Sequence, residues 1–586
     1  MSLNSEMKFS EIPNVEKQRS TFDRSFSHKT TVNAGDVVPI MWSECLPGDT
    51  ITMDFAHVTR MTTPIAPVMD NAWIDVFAFF CPTRLLWEHW KEFWGENNTT
   101  YWEQPVQYRT PKLDFTGASV ATLGVAEGSL LNYLGIPAGY KETNNWKQKL
   151  NALPLRAYCK IWNDWFRDEN LKQPLQEHTD DNATTVVRAA NPYDEGAAPW
   201  AVAQGAYPAK AAKAHDYFTS CLPAPLKHAE LSLFGSSGLI PVQPIDGAFT
   251  PITLNSNNNP NSLKWEYESK ASTSGKRFDV ILDGSNISTG NQVPGGNAAM
   301  GGIIEGKYTT ASADLNNFIL GSNLWANMNY AAISTIGQLR TSFAIQRFYE
   351  AQARGGSRYC EFLANIFGIT NQDARLQRSE FLGAKRFPIN VDQVLQTAGT
   401  GASGTTTPQG NTAAYSCTVN ADDLCTYSTA EHGYIMVMAV IRQEHSYAQG
   451  ISREWMRDDW SDFYIPQFAH LSEQPVYLGE IYAQGTADDQ TVFGYQEAWA
   501  DYRYKPNMIT GKLSPQVSGT LDLWHYGDYY TTAPSLGSRW INETDTNIAR
   551  TLAVQNEPQF IMDAYFNMKW TRIMPLYSVP GLLDHF

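Results

Sequence analysis

Four arginines stand in the stretch Ala351–Gly383: Arg354, Arg358, Arg375 and Arg378, with no lysine among them. Planar guanidinium groups suit bidentate, partly buried pairing with carboxylates or phosphates. Over Arg340–Arg386 eight Lys/Arg face four Asp/Glu, a net charge of +4 in a chain of net charge −16. A basic island of this kind needs an anionic counterpart, either carboxylates of the same or a neighbouring subunit or the phosphates of a nucleic acid. Between the arginines, Tyr359, Phe362, Leu363, Ile366 and Phe367 recur at helical spacing and Gly368 follows, predicting a short amphipathic helix. We expect salt links within or between subunits here, ahead of phosphate contacts.

Other candidate chemistry dissolves on its spacing. Gly399–Gly404 matches G-x-G-x-x-G, but TTTPQGNT follows it where a dinucleotide site needs a helix. Gly301–Lys307 nearly spells a P-loop, yet Tyr308 stands where a Ser or Thr must reach the metal. Eleven histidines form no HExxH and no zinc spacing. His432 and His445 flank the apolar run Tyr434–Ile441 and read as strand-end residues. Asp458-Asp459 and Asp488-Asp489 are adjacent, so their side chains diverge, as in solvated turns. There is no G-x-S-x-G elbow. We expect no enzyme and no cofactor or metal. The seven scattered cysteines, without CxxC, read as reduced thiols in a cytoplasm.

The composition points to a different kind of task. Only 18% of residues are charged, while 12% are aromatic, with 18 Trp and 28 Tyr. Interfaces use aromatics and exclude charge from their centres, so the chain reads as a subunit of something large. The acidic balance disfavours a free nucleic-acid-binding protein. No apolar run approaches a membrane span, so no membrane insertion is expected.

The elements that must position these residues are mostly β. Residues 1–30 are polar and mixed in sign, an extended arm. LPGD (46–49) is a turn. ITMDFAHV alternates Ile51, Met53 and Phe55 against polar neighbours. Trp73–Phe80 is apolar on nearly both faces, as in a strand buried between two sheets. Helical stripes follow at Leu85–Trp94 and around Leu155, Tyr158, Trp162, Trp165 and Phe166, with Pro154 placed for a first turn. Residues 231–320 are rich in Asn, Ser and Gly, net −2, with strand candidates at Leu263–Tyr267 and Phe278–Leu282. Such a segment is either disordered or an external functional insertion, and the strand candidates favour the second. Ala331–Arg354 is the best-marked helix of the chain, and Ala398–Thr418 a Gly/Thr-rich loop. Strands return at 434–441, 475–482 and 560–570. The expectation is an antiparallel β core whose loops carry most of the mass.

The chain also resembles a known family over nearly its whole length. RSTFDRSFSHKTT (19–31), TPIAPVMDNAWIDVFAFFCPTRLLWEHWKEFWGE (63–96), NALPLRAYCKIWNDWFRDENL (151–171), HDYFTSCLPAP (215–225), ARGGSRYCEFLANIFGI (353–369), FGYQEAWADYRYKP (493–506) and YSVPGLLDHF (577–586) are collinear with the major capsid proteins of Microviridae, and most similar to the gokushovirus branch. The resemblance implies a single eight-stranded antiparallel viral jelly roll with long loop and helix-containing insertions, building a T=1 icosahedral shell around a circular single-stranded DNA genome. Residues 31–230 and 321–586 would form that core. Residues 231–320 would be the variable surface insertion, a threefold protrusion facing a bacterial receptor.

On this insertion the receptor-facing candidates are Asn257, Asn258, Asn259, Trp265, Tyr267, Asn286 and Asn297. Implied partners are further copies in pentamers and a closed shell, the packaged single-stranded DNA, a small basic DNA-binding protein, an internal scaffolding protein and a minor pilot protein. Assembly would take place in the bacterial host cytoplasm, and the product would be the virion. The competing reading is a carbohydrate-binding or carbohydrate-cleaving jelly roll, drawn from the Trp and Tyr wealth.

Overall fold

The computed structural model describes residues 18–96, 106–142, 149–188, 199–227, 242–244, 262–267, 278–283, 324–326, 336–355, 359–370, 372–395, 412–554 and 557–577. The chain divides into two compact units, 1–227 with 349–586, and 228–348.

In the first unit the labelled strands are β1 (Ser20–Asp23), β2 (Phe26–Val32), β3 (Val38–Cys45), β4 (Thr50–Met61), β5 (Ala72–Pro82), β6 (Glu380–Pro388), β7 (Thr418–Ser428), β8 (Gly433–Gln443) and β9 (Phe560–Arg572). The labelled helices are α1 (Leu153–Ile161), α2 (Ile336–Gly355), which runs in from the second unit, and α3 (Tyr359–Phe367). All the long strands pair antiparallel, so the fold is mainly β.

One sheet is ordered β2–β9–β4–β7, with β1 lying beyond β2 along the same edge of β9. The other is β6–β5–β8–β3. The C-terminal part of the expected arm is therefore paired within this chain, through Ser20–Asp23 and Phe26–Val32, with Phe26 opposite Phe566 and Thr30 opposite Met562. The period-2 pattern seen at 560–570 holds: Phe560, Met562, Ala564, Phe566, Met568 and Trp570 are all buried. They meet Ile51, Met53 and Phe55 of β4 and the inward residues of the second sheet, Ile74, Val76, Phe80, Ile435 and Val437, in one core between the sheets. Gly433 starts β8 because a side chain there would run into the Phe80 ring. Gly48 closes the LPGD turn at a φ of +84°, a conformation glycine adopts without strain.

β5 and β8 are buried on both faces, but the second layer over them is helical, not another sheet. Phe77 and Phe79 pack on Phe166 at ring distances of 5.3 and 5.7 Å. α1 supplies that layer, with Pro154 in its first turn and Leu155, Tyr158 and Ile161 buried. The Tyr158 hydroxyl donates to Val37 O (2.7 Å) and accepts from Ala209 N (2.9 Å), tying helix to sheet. Buried Arg156 donates to the carbonyls of Leu86, Asp180 and Asn182. The expected strand at 475–482 is only half strand. Gln474–Tyr477 is extended, and Leu478–Ile481 turns helical because the Glu480 carboxylate accepts from Tyr477 N (3.0 Å).

In the second unit Ser262–Tyr267 pairs antiparallel with Phe278–Asp283, and Val242–Pro244 with Leu324–Ala326. No helix among the described residues is long and apolar enough to cross a membrane.

Candidate functional surface

The arginine island is assembled from the end of α2, from α3 and from the turn that leads into β6. The Arg378 guanidinium carbon sits over the Trp165 ring, 3.9 Å from its centroid. Its guanidinium donates to Asp164 O (2.9 Å) and Cys360 Sγ (3.0 Å). Next to it, Ser379 donates from both its amide and its hydroxyl to Asp164 Oδ2, each at 2.9 Å. Arg354 Nε pairs with Glu473 Oε1 at 2.6 Å, and the Glu473 side chain has no exposure. Two of the four arginines are therefore engaged inside this chain. Arg375 is exposed and among the described residues has no side-chain hydrogen bond or ion pair, and Arg358 lies outside the described residues. Because lysine can neither stack nor fork, Arg378→Lys should lower stability by about 1–2 kcal/mol. Arg375→Ala should stay within about 0.5 kcal/mol. Thermal unfolding of the two variants checks the pair.

Of the apolar stripe predicted for α3, Tyr359, Ile366 and Phe367 are exposed and Leu363 is half-buried. Tyr359 is 66% and Phe367 61% exposed, and Ile366 and Ile369 are exposed as well. A second apolar surface, which spacing did not reveal, runs along 451–471. Trp455 is 84% and Trp460 69% exposed, with Phe463 and Tyr464 beside them. This segment is anchored: Asp459 and Asp462 form a capping box, Arg457 pairs with Asp501 and stacks on Tyr502, and Trp499 Nε1 donates to Phe468 O at 2.8 Å. Held by such contacts, the aromatics face water by construction. Large aromatic patches of this kind mark protein contacts. Only the clustering of Trp455, Trp460, Phe463 and Tyr464 in a stretch without strand or helix period could have signalled it.

Beneath the surface a charge network holds the end of β8. His445 Nδ1 meets Asp528 Oδ1 at 3.0 Å, and its Nε2 meets Glu543 Oε2 at 3.3 Å. Asp528 also accepts from Lys213 (3.2 Å), Tyr530 (2.9 Å) and Asn547 (2.5 Å). Burial alone would lower the His445 pKa, but the charges of Asp528 and Glu543 prevail and raise it to about 10. Burial likewise opposes the Asp528 charge, yet Lys213 and His445 hold that carboxyl far below its usual range. His445 is thus an imidazolium with both nitrogens engaged. His432 instead stacks on Trp94, ring centroids 4.9 Å apart.

Of the receptor-facing candidates, Trp265 pairs opposite Val280 and Tyr267 opposite Phe278. Asn257, Asn258, Asn259, Asn286 and Asn297 lie outside the described residues.

A profile of the family described as capsid protein (F protein) matches residues 10–582. The chain is 37% identical over 564 residues to capsid protein VP1 of Spiroplasma virus 4, covering 95% of this chain and 94% of that one. It is 34% identical over 600 residues to capsid protein VP1 of Chlamydia phage 1, with coverage of 98% and 97%. Against capsid protein VP1 of Bdellovibrio phage phiMH2K the identity is 34% over 592 residues, covering 100% and 99%. Full-length likeness to phage capsid proteins agrees with a well-anchored core that leaves its aromatics outside, and the chain belongs to the capsid protein (F protein) family.

Proposed function

We propose that this capsid protein builds a closed T=1 icosahedral shell around circular single-stranded DNA, using an eight-stranded jelly roll as its wall. One observation carries the reading. Leaving aside the four-residue β1 and counting the long strands from β2 to β9, one sheet runs first–eighth–third–sixth and the other second–seventh–fourth–fifth. That interleaving is what two Greek keys wound together produce. Copies would meet through the aromatic face at 451–471, where Asp458, Asp459 and Asp462 border the tryptophans and would meet the exposed Arg375 of another copy. Arg354, Arg358 and Arg378 serve intrachain or intersubunit links in this reading. Assembly takes place in the bacterial cytoplasm with an internal scaffolding protein, a minor pilot protein and a small basic DNA-binding protein.

Residues 231–320 form the surface insertion, with its Asn-rich stretches and the strand bearing Trp265 and Tyr267 facing a bacterial receptor. Deleting 231–320 should leave particles that still form and no longer attach to host cells. Loss of soluble protein on that deletion would instead make the segment part of the core.

A further inference from the structure

A groove of about 80 Å³ opens beside the aromatic face, between residues 450–454 and residues 504–508. That is several times the roughly 10–15 Å³ that one water needs and far below the roughly 300 Å³ of small-ligand sites, so it suits a single side chain. Its walls are fixed. Ser446 and Tyr447 pair in parallel with Asn507 and Met508, Ile509 N donates to Tyr447 O (3.0 Å), and Ile451 N donates to Gly479 O (2.9 Å). Position 450 is glycine because a side chain there would run into the main-chain carbonyl of Glu480. The rim is apolar and faces water: Met508 is 71% and Tyr504 53% exposed, with Pro506 between them.

A knob stands directly beside this hole. Glu454 lines the groove, and the next residue, Trp455, is 84% exposed at the end of the short turn Arg453–Trp455, its amide donating to Ser452 O at 2.9 Å. A surface that carries knob and hole side by side is complementary to its own copy turned about a twofold axis, each knob entering the other's hole. A ring contact would need them on two different surfaces. The chemistry of the groove suits an indole: the Met508 sulfur and the Lys505 ammonium favour an aromatic ring, and the Glu454 carboxylate accepts from its N–H. Charge matches as well, with Asp458 and Asp459 beside the knob and exposed Lys505 beside the groove.

We propose that the aromatic face closes a twofold contact between two copies of this chain, the Trp455 indole of each seated in the groove between 450–454 and 504–508 of the other. The proposal rests on the reading that copies meet through this face, to which it adds the symmetry and the pocket. A tryptophan seated in a pocket is the usual anchor of such a contact.

The test replaces Trp455 by photoreactive p-benzoylphenylalanine in the full chain, co-expressed with the internal scaffolding protein proposed above. Irradiated particles are read on a denaturing gel and by peptide mass spectrometry. Covalent dimers without higher species, joined through 504–508, are expected. A ladder running to trimers and pentamers overturns the twofold assignment. Dimers joined through another segment overturn the groove and leave the face as the copy–copy contact. Particles in which no crosslink reaches another copy overturn the face reading and this contact with it. A second variant, Ser452→Trp, fills the groove with the chain's own ring. It should keep the wild-type melting temperature and lower particle yield about tenfold or more, while Ser452→Ala assembles normally. Wild-type yield from a folded Ser452→Trp chain overturns the groove, whatever the crosslinks show.

Discussion

Replacing Asp528 by alanine should cost about 3–5 kcal/mol, the loss expected when one partner of a buried ion pair is removed. Lys213 and His445 would keep charges in a site without solvent, and Tyr530 and Asn547 would lose their acceptor. The outcome to look for is a large fall in melting temperature or failure to accumulate. The pH dependence is more specific than the size. Because the His445 pKa is raised from 6.5 to about 10, its contribution is complete below 6.5 and disappears as pH rises through about 10. Because the Asp528 pKa is lowered from 3.8, its contribution is present above 3.8 and lost only in stronger acid. Stability should therefore be greatest between those two ordinary values and fall on the alkaline side. Asp528→Asn should flatten that alkaline fall. A wild-type melting temperature that stays level from neutral pH to above 10 would contradict the network described above.

Changing Trp455 and Trp460 together to serine should leave folding untouched and stop assembly. Both side chains already face water, so their loss removes little from the core. At a subunit contact, buried tryptophans commonly account for 2 kcal/mol or more each, roughly thirtyfold in affinity. The effect is multiplied over every contact of a closed shell. The expected pattern is a wild-type melting curve together with particles absent from a sucrose gradient. Particles at normal yield would move the copy–copy contact elsewhere on the chain, α3 being the next apolar surface.

What the sequence disclosed and what it hid follow from where each strand sits. β4, β5, β8 and β9 are central strands with one or both faces buried, and their apolar alternation or apolar runs announce them. Among the strands it hid, β6 and β7 lie at sheet edges. β6 carries Lys385, Arg386 and Pro388, with its register shifting at Gly383. β7 carries Asp422 and Asp423. Edges are kept polar and irregular against unwanted pairing, so they look like loops. β9 pairs with β4, whose residues lie roughly five hundred positions earlier, and no local pattern reports such a partner. The helical spacing of α3 was legible, yet spacing alone does not say whether a stripe meets its own core or another chain. His445 was indistinguishable from an ordinary strand-end histidine, because both of its carboxylates arrive from more than eighty residues away. The partners of the arginines depended on the fold: Arg354 pairs with Glu473, and Arg378 donates to the main-chain carbonyl of Asp164 and lies 3.8 Å from Asp373 Oδ1.

The most direct measurement is a single-particle electron cryo-microscopy map of whatever this chain forms when co-expressed with the internal scaffolding protein proposed above. The account predicts a closed T=1 icosahedral shell whose wall is the two interleaved sheets, with Trp455 and Trp460 buried against a neighbouring copy. A chain that remains monomeric, or a shell in which both tryptophans still face solvent, would contradict it.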